Sequence, residues 1–116
     1  MDLEIRRIVN VGEYNRERII ISVKNSVDIG SFILACTKRK EKSISSKIRN
    51  PFWFPDKVMN EGDLVVVYSK KGVNRVQEND DGSKTYFLYW NLSTPLWNQD
   101  EIPVLLEVAG WTLQDD

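Results

Sequence analysis

Apolar and polar positions alternate along most of this chain, in short runs that end at turn-forming residues. From Leu3 to Val11 the apolar positions are Leu3, Ile5, Val9 and Val11, with Arg7 breaking the pattern. From Arg18 to Lys24, Ile19, Ile21 and Val23 alternate with polar neighbours. Asp28 to Cys36 places Phe32, Leu34 and Cys36 on one side, and Gly30 within it marks a bulge or a close backbone approach. Ser43 to Phe54 resumes the period of two after a polar loop from Thr37 to Ser46. There Ile44, Ile48, Phe52 and Phe54 share one face, while Lys47, Arg49 and Trp53 share the other. A period of two is the signature of a strand with two different faces.

The later runs read differently. Leu64 to Tyr68 and Tyr86 to Leu92 are apolar on both faces. The first follows a turn at Asn60 to Asp63, and the second follows Asn79-Asp80-Asp81-Gly82-Ser83, a hairpin-turn signal built on Asp-Gly. After a polar connection from Asn98 to Pro103, the residues from Val104 to Val108 form a last full strand with Val104, Leu106 and Val108 inward; Trp111 to Leu113 adds a short final pairing. No segment carries a helical period. Strands of this length between turn signals predict an all-β fold, a single antiparallel sandwich over residues 1–116.

Composition narrows the function more than the fold. The 116 residues, 41% of them hydrophobic, are enough for one core without a metal or disulfide. A formal net charge of −1 argues against a partner recognised by bulk charge. Charge is uneven, however. Between Lys38 and Arg49 six basic residues face Glu41 alone, a local +5 that leaves −6 on the remainder. The single cysteine, Cys36, alternates with Phe32 and Leu34 and reads as a buried thiol. No apolar leader and no run of transmembrane length is visible, so a cytoplasmic protein without membrane insertion is expected, or an extracellular one if a signal peptide has been trimmed away.

In this order, four groups of residues are similar to a known family. They are Glu17 to Asn25; Val27 to Leu34; Phe52-Trp53-Phe54-Pro55 with Gly62 and Leu64 to Tyr68; and Tyr89-Trp90-Asn91 through Leu96-Trp97-Asn98 to Gly110. Together they resemble the lamin tail domain, an immunoglobulin-like β-sandwich found at the end of nuclear lamins and as a module in many bacterial proteins. The basic segment Lys38 to Lys47 is longer than is usual in that family. The resemblance implies a binding module for protein or chromatin partners. It brings no shared active site.

Chemistry is excluded largely by subtraction. With no histidine, triads and histidine-bearing zinc sites cannot form, and one cysteine cannot build a cage. The six glycines form no phosphate-cradling loop. The acidic pairs Asp80-Asp81 and Asp100-Glu101 read as solvated turn residues. No enzyme, cofactor, metal or small-molecule substrate is therefore expected. Two surfaces remain. One is apolar: the residues expected on the outer face of the two doubly apolar strands, Val65, Val67, Phe87 and Tyr89, suggest a protein partner or self-association. The other is basic: Lys38, Arg39, Lys40, Lys42, Lys47 and Arg49 with the stacking surface of Trp53 suggest nucleic acid or another polyanion. Trp90 and Trp97 raise carbohydrate binding, but core packing accounts for Trp90, which alternates with Tyr86, Leu88 and Leu92.

Overall fold

The structure is a computed structural model that describes residues 1–98 and 100–114, so Gln99 of the polar connection lies outside it. It is all-β. Among the described residues twelve strands follow one another: β1 (Leu3–Val9), β2 (Arg18–Val23), β3 (Val27–Asp28), β4 (Phe32–Thr37), β5 (Arg39–Lys40), β6 (Ser43–Ile44), β7 (Arg49–Trp53), β8 (Val58–Met59), β9 (Leu64–Tyr68), β10 (Arg75–Glu78), β11 (Lys84–Tyr89) and β12 (Ile102–Glu107). A five-stranded sheet runs β1-β2-β9-β11-β10, and a three-stranded sheet runs β12-β4-β7. The pairs β3-β8 and β5-β6 form small additional sheets.

One core joins the two main sheets. Ile19, Ile21, Val65, Val67 and Leu88 enter it from the five-stranded sheet, and Phe32, Leu34 and Cys36 from the three-stranded one. This arrangement is compatible with a β-sandwich. Phe54, Met59 and Trp97 fill the space between, with Phe52, Tyr86 and Trp90 packed at the margin. Trp97 is thus a core residue and Trp90 packs against the core, their rings meeting edge-to-face at 5.9 Å.

The expected run from Asp28 to Cys36 is interrupted by a 3-10 turn at Ile29–Ser31. Gly30 is the close approach expected there: a Cβ would lie 2.0 Å from Asp56 Oδ1. The Asp-Gly hairpin also forms, with Gly82 at φ 87° and the Asn79 amide donating to the Ser83 carbonyl at 2.8 Å. Its first arm, β10, was not expected, because Arg-Val-Gln-Glu carries one apolar residue and is exposed throughout.

The sheet is not wholly antiparallel. β9 and β11 are parallel neighbours, and β10 lies outside β11. The chain from Ser69 to Asn74 must therefore cross the end of β11 to reach the edge. Gly72 makes that crossing against the ring of Tyr89, where a Cβ would come within 2.4 Å of Cδ1. Asn91 receives the Gly72 amide, and Asn74 receives that of Tyr89.

Candidate functional site

Strand faces follow from the registers. On β2, Ile19 and Ile21 are fully buried in the core. They pair with Val67 and Val65 of β9, and directly opposed residues point to the same side. Val65 and Val67 are accordingly core residues at 0% exposure, which corrects their expected place on the outer face. Leu64, Val66 and Tyr68, the alternate residues of β9, point the other way and pair with Ser22, Ile20 and Arg18. Phe87 and Tyr89 do lie on that outer face, because they pair with Val66 and Tyr68. The alternate residue Leu88 is core and Tyr86 packs against it.

The outer face of the five-stranded sheet is consequently an aromatic surface. Tyr68 stacks on Tyr89 with ring centroids 5.4 Å apart and planes at 11°, and on Phe87 at 6.4 Å. Cations cover the rings. Arg18 and Lys70 stand 5.7 and 4.9 Å from the Tyr68 centroid, and Arg75 stands 4.1 Å from that of Phe87. The registers place Arg7, Ile20, Val66, Phe87 and Arg75 side by side across all five strands, so an arginine stands at each end of an apolar row. Among the described residues, none of Arg7, Arg18, Lys70 and Arg75 has a carboxylate within 4.0 Å. Glu4, across from Ser22 on the same sheet, is already paired with Arg6 and Lys24.

The basic segment is arranged differently from its expected form. Lys38, Arg39, Lys40, Lys42 and Lys47 are all exposed in and beside the β5-β6 hairpin, and none forms an ion pair with the described residues. Arg49 and Trp53 do not share a face. A register shift places Arg49 opposite Cys36, on the core side, while Trp53 stands opposite Ile33. The bulge lies at Asn50 and Pro51, with Asn50 at φ 51°, a conformation asparagine tolerates. Arg49 turns to an ion pair with Glu101. Trp53 donates its indole N–H to the Gly30 carbonyl at 2.7 Å and packs edge-to-face with Trp111 at 6.3 Å. The hairpin therefore keeps its cations but lacks the adjoining tryptophan.

The same face assignment corrects β12. Leu105 pairs with core-facing Leu34, whereas Val104 and Leu106 pair with Ala35 and Ile33 on the outer side. Ile44 and Ile48, expected to share a face with Phe52 and Phe54, are each 40% exposed, since the bulge and the hairpin separate them from the core strands.

Other polar groups are engaged structurally. A cleft of about 370 Å³ opens between the turns at Asn60–Asp63 and Asp81–Lys84. The buried Asp63 carboxylate accepts the amides of Asn60 and Lys84, each at 2.8 Å. The Ser83 hydroxyl and amide bond to the Asp81 carboxylate and hold it below the usual carboxylate range. Burial pushes the Cys36 thiol up to about 11, against smaller opposing effects of Arg49 and Asn50. Among the described residues, no cluster of three or more His, Cys, Asp or Glu side chains is placed to hold a metal ion.

No described helix is long and apolar enough to cross a membrane. Compared with family models, with curated proteins and with solved structures, the chain finds no match.

Proposed function

We propose that this chain is a non-catalytic interaction module that binds a protein partner through the outer face of its five-stranded sheet. The observation that carries the reading is the Tyr68-Phe87-Tyr89 cluster with Arg7, Arg18, Lys70 and Arg75 around it. A sandwich buries one face of each sheet, and on the other face of this one the half-buried Tyr68, Phe87 and Tyr89 rings beneath Arg18, Lys70 and Arg75 offer a partner a cationic and aromatic surface. Arginine and tyrosine are also the residue types that dominate binding energy at interfaces. The resemblance to the lamin tail domain, an immunoglobulin-like sandwich used for binding, supports the same reading at the level of fold. Self-association through this face is the homotypic form of the proposal.

The test is co-purification from native cells of the wild-type chain and its Phe87→Glu variant, with folding checked by amide dispersion. Loss of the bound protein in a folded variant supports the reading. An unchanged set of bound proteins contradicts it.

A second reading is polyanion or nucleic-acid binding by the β5-β6 hairpin, favoured by the unpaired, exposed Lys38, Arg39, Lys40, Lys42 and Lys47. It loses the stacking contribution first expected of Trp53, whose ring already engages Trp111.

A further inference from the structure

We propose that the open edge of β10 accepts an extended, acidic segment of the protein partner as an additional strand. This deepens the protein-interaction reading above and rests on it. The two main sheets have four outer edges, β1, β10, β12 and β7, and three carry features that block pairing. β1 has a register shift between Ile5 and Arg7. β7 has Pro51 and the bulge at Asn50. β12 contains Pro103. Such devices prevent strand addition, since proline removes a donor and a bulge disrupts the ladder. β10, Arg-Val-Gln-Glu, has neither a proline nor a bulge, and its pairing with β11 runs in unbroken register.

Main-chain directions support the same edge. The Asn79 amide donates to Ser83, and antiparallel bonding pairs recur every second residue. Gln77 and Arg75 therefore bond across to Thr85 and Phe87, and the amides and carbonyls of Val76 and Glu78 point away from the sheet. No described loop bonds to them. An added strand would satisfy these groups.

The flanking side chains define the segment's chemistry. On the aromatic face an incoming residue lies beside Arg75, whose guanidinium rests on Phe87 without a carboxylate partner among the described residues. On the opposite side it lies beside Val76, 41% exposed. Acidic and apolar residues in alternation fit both sides. Nucleic acid fits less well. Cations cover the Tyr68 and Phe87 rings, and Tyr89 is held between Tyr68 and Gly72, so these rings offer little open face for a base. A second copy of the chain also fits poorly, because four residues of edge give far less contact than a stable dimer requires.

The experiment is an amide-resolved NMR titration of the whole protein with a synthetic peptide of alternating glutamate and valine, about ten residues long. Saturable shifts and slowed exchange at Val76 and Glu78 are expected. Replacing glutamate by lysine in the peptide should weaken binding at least about tenfold, and Arg75→Glu should reverse that preference. Val76→Pro, which removes an outward amide while leaving the β10-β11 bonds intact, should abolish binding. Absent shifts, shifts confined to residues 38–49, equal binding by the lysine peptide, or the same response to a single-stranded oligonucleotide would overturn the proposal. Should Val76→Pro not fold, the Arg75→Glu reversal decides alone, since it leaves the backbone unchanged. Partners that still co-purify and still depend on Phe87, despite a failed titration, would overturn the edge while leaving the face reading intact.

Discussion

The carboxylate of Glu17 accepts the main-chain amide of Trp97, eighty positions further along the chain. The same carboxylate takes the Leu96 amide at 2.6 Å, the Gly12 amide at 2.9 Å and the Ser69 hydroxyl at 2.5 Å. Glu17 is fully buried, and it ties the loop carrying the core residue Trp97 to the start of β2 and the end of β9. A buried carboxylate persists when its lone pairs are filled by donors, as here.

Glu17→Ala leaves several of these donors buried without an acceptor. The expected loss of stability is about 3–5 kcal/mol in urea unfolding, with Glu17→Gln intermediate. A loss below about 1 kcal/mol would show that water replaces the carboxylate and that it does not organise the loop.

At Gly72 the backbone meets the Tyr89 ring too closely for any side chain. Gly72→Ala should cost about 1–3 kcal/mol by overpacking. In a Tyr89→Ala background the cost should largely disappear, a coupling that a double-mutant cycle reads directly. Additive losses would mean that the crossing is constrained by something other than the ring.

Cys36 should behave as an inert thiol. Its raised folded-state value means that the folded protein holds the proton more tightly than the unfolded chain. The thiol's contribution to stability is therefore full below about pH 9 and is lost as pH rises toward 11. Relative to Cys36→Ala, the wild type should lose stability across that window and not below it. Rapid labelling of the native protein by a thiol reagent at neutral pH would contradict this picture.

Much of this architecture was legible in the chain. The strands around Ile19, Leu34 and Leu88 carry clean alternation or strong turn boundaries, and Gly82 signals its hairpin. The faces of Leu64 to Tyr68 were not legible, because a strand apolar on both sides has no intrinsic inside. Its inside is decided by pairing with β2, where Ile19 and Ile21 meet Val67 and Val65. The Asn50 bulge similarly reverses Arg49 relative to Trp53 without a strong local signal. Of the four residues expected on the outer face, Phe87 and Tyr89 lie there. The rest of the face comes from Arg7, Arg18, Tyr68, Lys70 and Arg75, scattered along the chain and assembled by a parallel β9-β11 pairing. Segment-wise charge counting finds the 38–49 run and misses such a cluster.

Reversing Lys38, Arg39, Lys40 and Lys42 to glutamate separates the two readings of function. These side chains are exposed and unpaired with the described residues, so the variant should fold with stability within about 0.5 kcal/mol of wild type. Protein co-purification should be unchanged. Any weak binding to DNA or RNA that fades with salt should disappear. Loss of the protein partner in this variant would move the interface to the hairpin.

The proposed partner surface is the aromatic face of the five-stranded sheet. Site-specific photo-crosslinking in native cells addresses it most directly, with the crosslinker placed in turn at Tyr89, at Trp53 on the outer face of the other sheet, and at Lys40 in the hairpin. Discrete protein adducts are expected from position 89 that vanish with Phe87→Glu, and none of comparable yield from positions 53 or 40. Adducts from position 53 or 40 with none from 89 would contradict it.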